Sequence, residues 1–323
     1  MNTGWEQALE VQGELFKQIN GPFWGEMGGA WLRNREQKYG RNAMLPSAHA
    51  FRYAAEIVSE AEPIFVTSEM LDLTRAAMES FDSSEEMHAE DLFLRSGMAL
   101  LQEPFVATDA EGLETAWRCV TWRYVDLPPE AGGPENSEPI PAVEIILWWS
   151  LDDTDEWDEN HEAVMDMARA HYRSWGMRWA VMHATVTPFE YISEIAHMGN
   201  EGDPAASWMS FLRVLNKLMA ERIVLKTPMR PQRAFRRSVQ RLGIVEPKDV
   251  IVCELRRARP RGFEWEQGDG EGHLSHRFLV AGHWRNQWYP SLKRHKQKWI
   301  SPYVKGPDDK PFVDKKRVWV WDR

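Results

Sequence analysis

A stretch of residues that is apolar on both faces constrains the fold of this chain more than any other sequence feature. Residues 143–151 read VEIILWWSL, in which Glu144 and Ser150 are the polar side chains. Successive side chains of a strand point to opposite faces, so this run indicates a central strand covered on both sides. Residues 179–187 have a similar pattern, which predicts a neighbouring strand. Together the two segments predict a sheet with helices packed on it.

Helical periodicity dominates the first hundred residues, and strand-like segments follow. Apolar residues recur at helical spacing in residues 6–19 and 48–60, and Ser68 is placed to cap a third helix. Residues 21–31, rich in glycine and tryptophan, are expected to connect two helices. Further strands are predicted at 93–101, 115–125 and 249–256, and further helices at 160–175, 206–222 and 231–242. We therefore predict an α+β fold with a helical N-terminal region, a central mixed sheet with helices, and a basic β-rich C-terminal module.

The charged residues divide the chain into an acidic body and a basic C-terminal part. Residues 1–222 contain 16 Lys and Arg against 38 Asp and Glu, a net charge of −22. Residues 223–323 contain 23 against 11, a net charge of +12. Charge asymmetry of this kind suggests an anionic partner for the basic part, and the alternative is that this part packs on the acidic body. We predict two domains with this boundary, 1–222 and 223–323.

Several classes of protein are excluded by what the sequence lacks. Cys119 and Cys253 are too few for a disulfide framework or a Cys-based zinc site. The first residues predict no signal peptide, and the longest apolar stretch is too short to cross a bilayer. No P-loop, GxGxxG, GxSxG or HExxH motif occurs. We expect a cytoplasmic protein with no cofactor, no metal and no membrane partner.

Cations alternate with aromatic side chains near the C-terminal end of the chain. Residues 274–323 contain 12 Lys and Arg against four Asp and Glu, and five of the 17 tryptophans. Cations contact phosphates and flat side chains stack on unpaired bases, so this composition suits single-stranded nucleic acid. The alternative is a sheet with tryptophans in the core and a solvated face of Lys and Arg. The predicted nucleic-acid-binding residues are Arg277, Trp284, Arg285, Trp288, Lys293, Arg294, Lys296, Lys298, Trp299 and Lys305.

Two histidines in this stretch leave catalysis open. His276 and His283, with neighbouring Arg and Lys, could supply the acid, the base and the phosphate clamp of a metal-independent ribonuclease or toxin. Their spacing places them on opposite faces of a regular strand, although a bend at Gly282 could bring them together. In the other interpretation the Gly-His-Trp motif serves folding, with His283 hydrogen-bonded in a turn.

The C-terminal stretch resembles the ending of a type V-A anti-CRISPR family that suppresses production of its target CRISPR nuclease. The matching residues are Gly282, His283 and Trp284, followed by Arg285 and Gln287 and later by Trp299 and Pro302. Weaker matches lie at residues 43–46 and 64–70. Similar endings occur in phage and actinobacterial proteins of unassigned function.

This resemblance implies a protein that recognises the N-terminal peptide of a nascent target and causes loss of its messenger RNA. By analogy the acidic body contacts the peptide, and the basic module contacts RNA or the ribosome. We therefore predict an anti-CRISPR-like inhibitor of gene expression. A non-catalytic protein-interaction module is the further alternative, and it requires the cations of residues 285–305 to face Asp and Glu of the chain.

Overall fold

A computed structural model describes most of the chain as helices and strands around one large sheet. The described residues are 4–39, 45–79, 81, 87–108, 114–127, 138–153, 166, 169–192, 204–221, 223–255, 277–280, 282–300, 303–307 and 310. Their helices are α1 (Gln7–Ile19), α2 (Trp24–Tyr39), α3 (Leu45–Glu60), α4 (Ser68–Met78), α5 (Pro204–Ala220) and α6 (Arg233–Arg241), with a 3-10 turn at Ala89–Asp91. Their strands are β1 (Glu62–Val66), β2 (Ser96–Thr108), β3 (Glu114–Leu127), β4 (Ile140–Ser150), β5 (Trp179–Pro188), β6 (Val224–Met229), β7 (Val250–Leu255), β8 (Phe278–Val280), β9 (His283–Tyr289), β10 (Arg294–Ile300) and β11 (Tyr303–Lys305).

A seven-stranded mixed sheet has the order β5-β4-β3-β2-β1-β7-β6. Strands β2 to β5 pair antiparallel with one another and β6 pairs antiparallel with β7, whereas β1 is parallel to both β2 and β7. Near the C-terminal end, β9 pairs with β10 and β8 with β11, each in an antiparallel sheet of two strands. The predicted α+β class is confirmed. The division at residue 222 stays a prediction, and the large sheet takes strands from both sides of that residue.

Strand β4 lies at the centre of the hydrophobic core, as its sequence predicts. Every side chain from residue 142 to 150 is buried. Ile145 and Leu147 pack in one apolar cluster with α4 and α5, while Ile146 and Trp148 pack in a second cluster with α1 and α3. Since helices cover both faces of the sheet, polar residues are excluded from either side of the strand unless they find a partner.

The predicted connector at residues 21–31 is wrong, because α2 begins at Trp24. Trp24 stacks on Trp148 with ring centroids 5.9 Å apart, and its Nε1 donates to the Phe51 carbonyl at 3.3 Å. Gly28 of α2 faces the Phe51 ring of α3, and a Cβ at residue 28 would come within 3.1 Å of that ring. The glycine therefore allows α2 to approach α3 closely, and this packing outweighs the low helix propensity of the segment.

Other element boundaries differ from prediction by a few residues. Thr67 is the N-cap of α4, where Ser68 was expected, and its hydroxyl accepts from the Met70 N–H at 3.4 Å. Strand β2 begins at Ser96, three residues later than the pattern indicates. Most of the helix predicted at 160–175 lies outside the described residues. No helix in the described part of the chain is long and apolar enough to span a membrane.

Both cysteine thiols are buried in the sheet, and this burial makes stability sensitive to alkaline pH. Cys119 and Cys253 are inaccessible to solvent and unpaired. Burial raises the pKa of Cys119 strongly and that of Cys253 from 9.0 to about 12, although the Lys226 ammonium opposes the second shift. The stabilisation that these neutral thiols contribute is complete below pH 9 and is lost as pH rises from there towards 12.

We predict that the free energy of unfolding falls by about 1.4 kcal/mol per pH unit for each thiol once the unfolded chain ionises. Denaturant unfolding between neutral pH and the onset of tyrosine ionisation measures this slope. The Cys119→Ala/Cys253→Ala variant is the control, because it lacks both thiols. Equal alkaline slopes in the two proteins would contradict the prediction.

Candidate nucleic-acid interface

The hairpin of β9 and β10 carries most of the residues predicted to bind nucleic acid. Arg285 lies directly opposite Lys298, Trp284 opposite Trp299, and Trp288 opposite His295. Directly opposed residues share a face of the hairpin, so Arg285 and Lys298 lie on one face and the three tryptophans on the other. The turn between the strands includes Lys293, whose φ of 51° is in the left-handed region.

One end of the hairpin is anchored in the core by tryptophans. Trp299 is only 5% exposed, and it meets Trp284 edge to face with ring centroids 5.2 Å apart. The Trp284 Nε1 donates to the Ala77 carbonyl of α4 at 2.9 Å, and Phe81 contacts the Trp284 ring. Trp299 therefore offers no face on which a base could stack, which removes it from the predicted stacking residues. These two rings fix the hairpin to α4.

Two of the predicted phosphate-binding cations are paired with carboxylates of the body. Arg294 donates to Glu90 at 2.9 Å, and the Lys296 ammonium donates to Asp91 Oδ1. The second oxygen of Asp91 accepts the His88 backbone N–H at 3.0 Å, so this carboxylate is held in place. Arg294 and Lys296 thus have the environment that the protein-interaction alternative requires. Sequence analysis missed these partners, although Glu90 and Asp91 lie in a visibly acidic segment.

The other cations of the hairpin have no carboxylate partner among the described residues. Arg285 is exposed and donates to Gln287 at 2.8 Å on the same strand face, and Lys298 opposite it is half-buried. Lys293 is exposed at the turn, beside Trp288, which is 49% exposed and touches the His295 ring edge to face at 5.0 Å. Lys305 is exposed on β11. The hairpin therefore combines cations that have no carboxylate partner in the described part of the chain with one accessible indole.

The described residues include only one of the two histidines that the predicted ribonuclease would use. His283 is half-buried on β9, opposite Ile300, and His276 lies outside the described residues. The Arg277 guanidinium donates to the Lys310 carbonyl at 3.1 Å. Across the described part of the chain, no three His, Cys, Asp or Glu side chains form a group that could hold a metal ion.

The chain resembles a protein of known structure. No protein-family model matches the chain, and no curated protein matches it. The crystal structure of AcrVA2, an anti-CRISPR protein, aligns over 94% of this chain and 94% of its own, with a TM-score of 0.38 and 12% sequence identity. The relationship is distant. The function of the present chain has to be inferred from its own residues.

Proposed function

We propose that this chain is an anti-CRISPR-like inhibitor of gene expression whose C-terminal hairpin contacts RNA. The observation that carries the proposal is that the hairpin is anchored to the body while some of its cations have no carboxylate partner in the described part of the chain. Trp284 and Trp299 hold it to the body, while Arg285, Lys293 and Lys298 lack carboxylate partners among the described residues. A rigid support of this kind lowers the entropic cost of ordering the cations on a phosphate backbone.

The hairpin offers the two kinds of contact that single-stranded RNA uses, namely charge neutralisation of phosphates and stacking of bases. Ammonium and guanidinium groups neutralise phosphates without regard to sequence. The exposed Trp288 ring, next to Lys293 at the turn, provides a flat surface for one unpaired base. Arg285 and Lys298 lie on the opposite face of the ribbon from Trp288, so an RNA strand that contacts all three has to cross an edge or the turn of the hairpin.

The finer part of the proposal concerns the target. In the anti-CRISPR-like interpretation the acidic body binds the nascent N-terminal peptide of a target protein, and RNA or ribosome contact through the hairpin leads to loss of the messenger RNA. The resemblance of the Gly282-His283-Trp284 ending supports this interpretation, and the net charge of −22 over residues 1–222 suits a basic peptide.

A protein-interaction module is the second candidate function. The ion pairs of Arg294 with Glu90 and of Lys296 with Asp91 favour it, because they show basic residues docked on the acidic body. These pairs account for two cations of the hairpin, and Arg285, Lys293 and Lys298 have no carboxylate partner among the described residues. The two candidates therefore differ in what they expect of Arg285 and Lys298.

We predict that Arg285→Gln/Lys298→Gln weakens RNA binding and lowers its salt dependence. Each lost phosphate contact on a single strand reduces the slope of log K against log salt by about 0.7, so the pair reduces it by about 1.4. Fluorescence anisotropy of a labelled single-stranded RNA with the full chain measures both quantities. The Arg33→Gln/Arg52→Gln variant is the matched control, because it removes two exposed cations from α2 and α3.

The two candidate functions give opposite results in this experiment. If the hairpin variant and the control variant bind RNA equally well, or if the unmodified chain binds no RNA, the RNA-binding proposal is wrong. The protein-interaction module is then the remaining candidate. Purification of the chain and the hairpin variant from producing cells extends the test to the target. Loss of RNA with retention of the same peptide supports separate contacts by hairpin and body, whereas the absence of any peptide contradicts nascent-peptide recognition.

A further inference from the structure

Helix α6 carries a stripe of arginines that the hairpin proposal does not use. Arg233, Arg237 and Arg241 recur every four residues and are all exposed. With a rise of 1.5 Å per residue, their Cα atoms follow one side of the helix about 6 Å apart. The opposite side of α6 is fixed to α1, because Val239 and Leu242 pack against Gly13. The stripe is thus held on a helix whose apolar face is already covered.

The three arginines have no ion-pair partner in the part of the chain that the structure describes, unlike several arginines of the acidic body. Arg118 pairs with Asp153, and Arg123 with Glu56 and Glu144. Within the described residues no carboxylate lies at ion-pair distance from the α6 stripe, and the backbone amide of Gln232 at its start meets Glu6 only at 3.5 Å. Three like charges on one exposed helical face repel each other, so an anion bound along the stripe would relieve that repulsion.

The stripe leads into a groove of about 510 Å³ between α1, α6 and residues 175–179. Arg241 lies at its edge with Lys17 and Arg178. One wall is an aromatic pair, since the Phe23 and Trp175 rings lie parallel with centroids 5.5 Å apart. A groove of this volume with a flat apolar wall and several polar groups is of the size that holds a small organic ligand.

The charged groups of the groove are unevenly distributed, with Arg241 on α6 and two glutamates beside one lysine, Lys17, on α1. Arg241 stands on the side of α6, while Glu10 and Glu14 line the side of α1. The Arg178 guanidinium joins Glu14 at 2.6 Å to Asp152 at 2.7 Å, which closes the acidic side. Carboxylates accept hydrogen bonds from exocyclic amino groups of bases and repel phosphates. A ligand that fits has to present phosphate towards α6 and an amino-bearing ring towards α1.

We propose that α6 and this groove form a second binding surface for single-stranded nucleic acid. Phosphates follow Arg233, Arg237 and Arg241, and one base enters the groove against the Phe23–Trp175 pair. An acidic peptide would satisfy the arginine stripe as well. An acidic peptide such as polyglutamate has no flat ring to lie against the Phe23–Trp175 pair, however, so the groove favours the polynucleotide. The inference does not depend on the hairpin, since no residue is common to the two surfaces.

The experiment compares Arg237→Gln/Arg241→Gln with the control Arg33→Gln/Arg52→Gln, each in the full chain. Between about 50 and 200 mM salt, the affinity of the unmodified chain for a labelled single-stranded RNA should fall about sevenfold more than that of the α6 variant, because two phosphate contacts are missing. The control variant should follow the unmodified chain. Combination with the hairpin variant should add the two effects, which separates this surface from the hairpin.

A thiouridine-labelled RNA locates the contact directly. Photo-crosslinks are expected on residues 172–178 or 232–242 and should disappear in the α6 variant. An unchanged salt slope in that variant, or crosslinks confined to the hairpin, would overturn the proposal. So would tighter binding of a polyglutamate peptide of equal charge that displaces the RNA, because the surface would then belong to an acidic protein.

Discussion

Gly97→Ala is expected to lower the free energy of unfolding by about 3 kcal/mol, the upper part of the range for overpacked cores. Gly97 of β2 lies opposite Trp122 of β3. A Cβ at residue 97 would stand 2.3 Å from Cζ2 of this ring and 2.7 Å from two of its other atoms. Trp122 cannot withdraw easily, because it is completely buried and its Nε1 donates to the Leu94 carbonyl at 2.9 Å. The indole of Trp122 therefore fills the space that a side chain at residue 97 would need.

Denaturant unfolding of Gly97→Ala and Gly25→Ala measures this cost with its control. Gly25 lies in α2, and no atom comes within 4 Å of a Cβ built there, so alanine is expected to be neutral or stabilising by up to about 1 kcal/mol. Gly97→Ala/Trp122→Leu should lose less stability than the sum of the two single replacements, since the two sites share one space. Equal stability of the two alanine variants would contradict the prediction, because β2 and β3 would then accommodate the extra methyl group without a loss of stability.

The central strand could be predicted from sequence because its pattern is local and extreme. Residues 143–151 are apolar on both faces, and no helix or loop accommodates such a run without burying it. The pairing partners of β1 could not be predicted in the same way. Its neighbours β2 and β7 start at Ser96 and Val250, and parallel pairing over such distances leaves no signal in the strand itself.

Composition alone does not indicate which aromatic residues of the hairpin are exposed. Trp288 and Trp299 are the same residue type on the same face, yet one is 49% exposed and the other 5%. Their difference arises from Phe81 and Ala77, which lie some two hundred residues earlier in the chain and cover only one end of the hairpin. Composition therefore predicted which residue types meet on the hairpin, while tertiary contacts decided which of them face solvent.

The same distinction holds for charge. Arg294 and Arg285 have equal weight in a count of cations, but Glu90 neutralises the first, and the second bonds only to a neighbouring amide among the described residues. A net charge of +12 over residues 223–323 predicts an anionic partner without saying whether it belongs to the same chain. Some of these cations pair with carboxylates of the body, and others have no carboxylate partner among the described residues. The α6 arginines belong to the second group.

Arg123→Leu is expected to lower the free energy of unfolding by about 3–5 kcal/mol, because it leaves a buried carboxylate without its main partner. Glu144 is completely inaccessible on β4, and its Oε2 accepts from Arg123 Nε at 2.8 Å. Burial by itself lowers the pKa of Arg123, but bonds to Glu56 and Glu144 outweigh that effect and raise it above the ordinary value. In the variant, His49, with Nε2 2.9 Å from Oε1, is the ion-pair partner left to Glu144 among the described residues.

A double replacement separates the worth of this ion pair from the cost of an isolated charge. Arg123→Leu/Glu144→Leu should be more stable than Arg123→Leu alone, because apolar side chains often replace a buried pair at little cost. Arg178→Leu is the matched control: this arginine also bridges two carboxylates, Glu14 and Asp152, but 59% of its side chain is exposed, so its loss should cost at most about 1 kcal/mol. Denaturant unfolding of the four proteins gives the order. If the double variant is the least stable, Arg123 and Glu144 stabilise the sheet through packing that leucine does not reproduce, and the charge argument fails.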